Sequence, residues 1–142
     1  MKNLFLAMVA SIIVIASCQK NEVKDQEKVT IPVSSASILG KWKVEELSSS
    51  ITSKNISPLI SSYKGAETDY YDFRDNGYVY MQLGTKQDSM SYTITGNSII
   101  TRFRNLVIDT MTIDVTSNKL TLSLIKEFPF EQTYSKTEKF IR

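Results

Sequence analysis

From Ile38 onward, apolar and polar residues alternate in short runs that are separated by turn sequences. An alternation with a period of two is typical of β-strands that bury one face. The runs that we interpret as strands are residues 38–47, 68–74, 78–83, 88–94, 98–103, 106–115, 120–125 and 131–141. This pattern predicts an all-β domain.

The sequences between these runs are those of tight turns. Asn76-Gly77 is a strong hairpin signal, and residues 95–97 (TGN) and 116–119 (TSNK) are similar in kind. Strands that follow one another through short turns form an up-and-down antiparallel meander, and eight of them are enough to close a barrel without free edges. We therefore predict an eight-stranded up-and-down antiparallel barrel, with an open sandwich of two meandering sheets as the alternative.

One stretch departs from the alternation. Residues 57–65 (SPLISSYKG) begin with a serine suited to an N-cap and a proline suited to the first helical position, and they end in glycine. This pattern predicts one short helix between strands 1 and 2 of the barrel.

The first 17 residues form a segment of another kind. Lys2 precedes an apolar run over residues 4–16, which has the length of a signal-peptide core and falls short of the ~20 residues of a spanning helix. The run ends in Ile15-Ala16-Ser17-Cys18, which resembles the lipobox of bacterial lipoprotein precursors. The resemblance implies cleavage before Cys18 and attachment of diacylglycerol and an N-acyl chain such as palmitate to that cysteine. The alternative is a plain secretory signal with a chance cysteine.

Residues 19–37 are polar and charged and have no amphipathic period, so we interpret them as a tether, with an interaction or export segment as the alternative. The predicted organisation is a signal peptide over 1–17, an acylated cysteine and flexible tether over 18–37, and a barrel domain over 38–142. Gln19, rather than aspartate, follows the cysteine. In lipoproteins of this kind, that residue implies anchoring at the outer membrane, on either of its faces.

Few residues suited to catalysis are present. The chain has no histidine, and its one cysteine is Cys18, which removes the commonest general base and any thiol nucleophile in the domain. A net charge of +2 gives no reason to expect nucleic-acid binding. Asp69 and Asp75 share a strand parity that Asp72 does not, which argues against a calcium site. We expect a protein that is not an enzyme and has no metal and no cofactor apart from its lipid.

The first strand contains Gly40-Lys41-Trp42 after Leu39, and residues 73–77 form a Phe-x-x-x-Gly hairpin. With the leader, these motifs make the chain similar to the lipocalin-like (calycin-type) lipoproteins of Gram-negative bacteria. The resemblance implies that Trp42 plugs the closed end of the barrel under a basic residue near the end of the last strand, Arg142 or Lys139. The Thr-Asp-Tyr motif that lipocalins carry in a middle loop is absent, since Thr68-Asp69-Tyr70 lies too early and in a predicted strand, and the disulfide of lipocalins is absent as well.

Two functions are consistent with these features. The first is a membrane-anchored lipoprotein that binds a small apolar ligand in the barrel. Its predicted ligand-binding residues, chosen from the inward-facing set, are Trp42, Tyr71, Phe73, Met81, Tyr92, Met111 and Leu122. The second is a protein-interaction or inhibitor module of the cell envelope, with a filled barrel and an exposed patch that contains Phe128 and Phe130. The first has a small apolar molecule as its partner, and the second has another protein.

Overall fold

The computed structural model describes residues 35–142. The predicted signal peptide, Cys18 and the tether as far as residue 34 lie outside the described residues. The elements are α1 Ser35–Ile38, β1 Gly40–Ser53, β2 Ile56–Lys64, β3 Tyr70–Phe73, β4 Tyr78–Leu83, β5 Lys86–Thr95, β6 Ser98–Phe103, β7 Leu106–Val115, β8 Lys119–Phe128 and β9 Gln132–Ile141. Over this part of the chain, no helix has the length and apolarity needed to cross a membrane.

Eight of the strands form a closed antiparallel barrel, which confirms the predicted all-β architecture. Each strand from β3 to β9 pairs with its neighbour in the chain, and β1 closes the barrel by pairing with β3 on one side and β9 on the other. The closing pairs run from Lys43↔Ile141 to Ser53↔Gln132. Closure satisfies the backbone groups that would otherwise be exposed at two sheet edges.

Apolar side chains fill the interior of the barrel. Trp42, Phe73 and Phe140 are among the largest fully buried residues. The rings of Tyr71 and Phe140 lie 4.8 Å apart, and Phe73 meets Tyr92 edge-on at 5.4 Å. Aromatic pairs in such geometries contribute about 0.5–1.5 kcal/mol each beyond their burial.

The core agrees with the alternation in the sequence. Every inward residue predicted to bind ligand is buried except Met81, which is partly buried and packs against the core. The hairpin between β3 and β4 turns at Asn76-Gly77 as predicted, with Gly77 at a φ of 78°. The Oδ1 atom of Asn76 accepts a hydrogen bond from the backbone N–H of Tyr78 at 3.0 Å, which helps to set the register of the hairpin.

The predicted helix over residues 57–65 is wrong, because this segment forms strand β2. Strand β1 extends past the predicted end at Leu47 to Ser53 and offers a free edge, along which β2 pairs antiparallel from Glu46↔Lys64 to Ser53↔Ile56. A helix of this length is marginal on its own, whereas the edge supplies backbone partners along the strand. Pro58 is tolerated because β2 is an edge strand and its register with β1 shifts near Ser53.

Four strands continue beyond the barrel. The pairing of β1 with β3 ends at Lys43, and that of β8 with β7 ends at Ser123. Past these points β2, β1, β9 and β8 remain paired in that order. We call this extension the projecting sheet, defined as β2 with residues 46–53 of β1, 124–128 of β8 and 132–136 of β9. Its two hairpin turns, between β1 and β2 and between β8 and β9, lie away from the end of the barrel at which β1 begins.

Candidate functional site

The first strand begins at the closed end of the barrel, where Trp42 is fully buried. Its indole N–H donates a hydrogen bond to the carbonyl oxygen of Ile38 at 2.7 Å, which ties the α1 turn across this end. The guanidinium of Arg142 lies 3.9 Å from the indole ring centroid and donates to the carbonyl of Leu39. The predicted basic residue over Trp42 is therefore Arg142. Lys139 instead pairs with the carboxylate of Glu46 at 2.8 Å.

Asp69 fastens the projecting sheet to the barrel. Its buried carboxylate accepts hydrogen bonds from the Tyr63 hydroxyl on β2 and from the backbone N–H groups of Ala66 and Gly84. The bond from Tyr63, together with the two backbone donors, lowers the pKa of Asp69 below its usual value. One side chain thus joins β2, the loop after it and the turn between β4 and β5.

A small cavity of about 70 Å³ remains in the barrel. Lys136 and Glu138 on β9 and Asp109 on β7 contribute its charged wall. The Lys136 ammonium lies 2.8 Å from Oδ2 of Asp109 and 2.9 Å from Oε1 of Glu138. Burial acts to lower the pKa of Lys136, but the two carboxylates outweigh burial and raise it above the ordinary lysine value.

The other oxygen of Glu138 has a different environment. Within the described part of the chain, Oε2 is buried and accepts no hydrogen bond. Glu138 as a whole is 4% exposed. Tyr71 lines the same cavity, and burial together with the charge of Glu138 raises the pKa of its hydroxyl, so Tyr71 is neutral at physiological pH.

The structure brings together only some of the predicted ligand-binding residues. Tyr71, Phe73, Met111 and Leu122 line the cavity. Trp42 and Tyr92 are packed elsewhere in the core, and Met81 packs against the core at its periphery. A drug-sized ligand occupies about 300–1,000 Å³, so these residues enclose a space several times smaller than such a pocket. The small apolar ligand stays a prediction.

Sequence reasoning missed the charged wall of the cavity. The residues Glu138 and Lys136 share the strand parity of the buried Phe140, so their positions in the alternation place them inside the barrel. A set of inward-facing residues that is chosen because they are apolar leaves out these two charged residues. In residues 35–142, no group of three or more acidic, histidine or cysteine side chains is arranged to hold a metal ion.

The projecting sheet carries a concentration of exposed apolar side chains. These residues are Ile51, Ile56, Leu59, Ile60, Tyr63, Ile125 and Phe128, with Phe130 in the turn between β8 and β9. Phe130 is 91% exposed and has a φ of 68°, a left-handed conformation that is unfavourable for a bulky side chain. On the inner side, an open groove of about 550 Å³ runs between β2 and the β4–β5 turn.

No protein-family model, curated protein or solved structure matches this chain.

Proposed function

We propose that this protein is an interaction module of the bacterial cell envelope and is anchored by lipid at Cys18. In this proposal, the projecting sheet binds a partner protein. The observation that carries the proposal is the set of large apolar side chains exposed on that sheet. These side chains lie on both faces of the sheet, and exposed apolar surface among polar residues is a feature of protein-binding sites. The filled barrel supports the same reading, because a cavity of about 70 Å³ leaves little interior room for an apolar cargo.

The free edge of β2 is suited to binding by strand addition. All residues of β2 are exposed, and β2 ends the strand order of the sheet. Natural edge strands are usually protected by charged side chains, proline or short length; β2 has nine residues, with Pro58 near its start and Lys64 as its only charge, so residues 59–63 carry neither protection. An extended segment of a partner can continue the sheet through main-chain hydrogen bonds, with Leu59 and Ile60 providing apolar contacts on its two faces.

The turn that contains Phe130 provides a second contact. It lies beside the β1–β2 turn, since the ammonium of Lys54 reaches the carboxylate of Glu131 at 3.1 Å. An exposed aromatic side chain in a left-handed conformation does not stabilise the isolated domain, whereas burial against a partner would contribute about 1.5–3 kcal/mol. Aromatic side chains of this kind are common among the residues that dominate binding energy.

Photo-cross-linking in intact cells tests the proposal. A photoreactive amino acid at Phe130 should trap one specific protein, while the same group at Ser117, in the exposed turn at the closed end of the barrel, should not. Equal cross-linking at both positions, or none at either, would contradict the proposal.

A pair of matched variants identifies the edge that the partner uses. Ile60 on β2 and Ile125 on β8 lie in one row across the same face of the sheet and are 70% and 72% exposed. Ile60→Lys places a charge on the β2 edge and should abolish the cross-link at position 130. Ile125→Lys should preserve it, and neither should change stability by more than about 0.5 kcal/mol. If Ile125→Lys alone abolishes the cross-link, the partner does not add to β2.

A further inference from the structure

The small cavity in the barrel has one polar atom that lacks a partner. Glu138 Oε2 is buried beside this space without a hydrogen bond from any described residue, although Glu138 Oε1 is held by Lys136. A buried carboxylate oxygen that accepts no hydrogen bond destabilises the fold, so a bound hydrogen-bond donor would be stabilising here. The remaining wall is mainly apolar, with side chains from Phe73, Val79, Met90, Met111 and Leu122.

The charges around the cavity favour a cation over an anion. Two carboxylates, Glu138 and Asp109, face one largely buried ammonium, that of Lys136. Lys126 also approaches Asp109, at 3.6 Å, but its side chain is 43% exposed and its charge is partly screened by water. Asp109 is therefore better compensated than Glu138. The free oxygen of Glu138 is therefore the acceptor of the cavity wall that is left without a hydrogen bond from the described residues.

We propose that this cavity binds a small primary amine, whose ammonium group donates to Glu138 Oε2 and whose short carbon stem packs against the apolar wall. The volume of about 70 Å³ limits the ligand, since one water occupies about 30 Å³ in the liquid. A stem of one to three carbons fits this space. Lys136 belongs both to this site and to the projecting sheet, but the proposal does not rest on the protein partner proposed above.

The experiment uses ethylammonium as the probe and the methionine methyl groups as reporters. Met90 and Met111 line the cavity, so ¹³C-methyl spectra of the intact protein report on its occupancy. We expect saturable shifts of these two signals with a dissociation constant of about 1 mM, because three heavy atoms can contribute only modest affinity. Ethanol and propionate, which match the stem but lack the positive charge, should bind at least tenfold more weakly.

Two variants assign the effect to Glu138. Glu138→Gln keeps the shape and removes the charge, and it should weaken ethylammonium binding at least tenfold. The exposed Glu127→Gln removes a carboxylate from the neighbouring strand and should leave binding unchanged. If Glu138→Gln does not fold, the comparison of ethylammonium with ethanol and propionate on the native protein still decides the question. Equal binding of ethanol, or no saturable shift up to 20 times the expected constant of about 1 mM, would overturn the proposal and leave ordered water as the occupant.

Discussion

Gly65 is the residue at which the chain leaving β2 passes closest to β1. A Cβ atom at this position would lie 2.0 Å from the carbonyl oxygen of Val44 and 2.7 Å from its carbonyl carbon, about 1 Å inside the shortest contact that real Cβ atoms make. Backbone atoms cannot rotate away, so Gly65→Ala must separate the two segments. The separation would disturb the hydrogen bonds from Gly65 N–H to Glu45 and from Val44 N–H to Asp69, which are 3.2 and 3.0 Å long.

The expected cost of Gly65→Ala follows from these contacts. Two backbone hydrogen bonds contribute about 1 kcal/mol each, and forcing an extra carbon into packed structure costs about 1–3 kcal/mol. The free energy of unfolding should therefore fall by about 3–5 kcal/mol, a large fraction of the 5–15 kcal/mol that is usual for a domain. With an m-value of about 1.5 kcal/mol/M, the urea midpoint falls by about 2–3 M.

Urea unfolding can be followed through the fluorescence of Trp42, which is the only tryptophan and is buried. Gly96→Ala is the control: Gly96 has a φ of 58°, and its added Cβ would meet nothing within 4 Å. That substitution carries only the cost of the left-handed conformation, about 1–2 kcal/mol. If Gly65→Ala loses no more stability than Gly96→Ala, the close approach to Val44 does not constrain the fold and the reasoning is refuted.

Two further predictions concern the contact between Arg142 and Trp42 and the buried carboxylate of Asp69. Arg142→Met removes the cation–π contact with Trp42 and should lower the free energy of unfolding by about 1–2 kcal/mol in the same urea assay, whereas Lys139→Met, which breaks only an exposed ion pair, should have little effect. The Tyr63 hydroxyl and two backbone donors lower the pKa of Asp69 in the folded protein. The ionised Asp69 therefore contributes its full stabilisation above the ordinary aspartate pKa of about 4. This contribution is lost as the pH falls through the lower pKa of the folded state. The urea midpoint should thus drop more steeply below pH 4 for the native protein than for Asp69→Asn, and parallel curves would exclude this role.

The sequence predicts the barrel well because its signals are local. Alternation and turn residues act over a few positions, and Asn76-Gly77 favours its hairpin turn from the local sequence alone. The contact of Trp42 with a basic residue near the end of the last strand is a long-range feature that came from a family resemblance, which left Arg142 and Lys139 open, and the structure shows Arg142 in this position. The lipid at Cys18, by contrast, stays a prediction, since that residue lies outside the described part of the chain.

The residues of β2 and of its end that predict a helix have other roles in the structure. Residues 48–53 (SSSITS) are rich in serine and threonine and do not alternate in polarity, so nothing local shows that β1 continues and offers an edge. Pro58 lies near a register shift in an edge strand instead of opening a helix. Gly65 is explained by its approach to Val44 and not by a helix end. The evidence that decides between helix and strand here is the pairing partner, which a local pattern does not contain.

The same reasoning explains why the candidate sites are harder to predict than the fold. A regular alternation of apolar and polar residues predicts that the apolar side chains are buried and the polar ones are in solvent, as in the packed end around Trp42. Binding surfaces require departures from that rule. Apolar side chains such as Ile60 and Phe130 lie in solvent, and Glu138 lies in the core. The positions at which polarity and burial disagree are therefore the positions to test first, and in the described part of the chain half of them lie on β2 and on the β8–β9 hairpin.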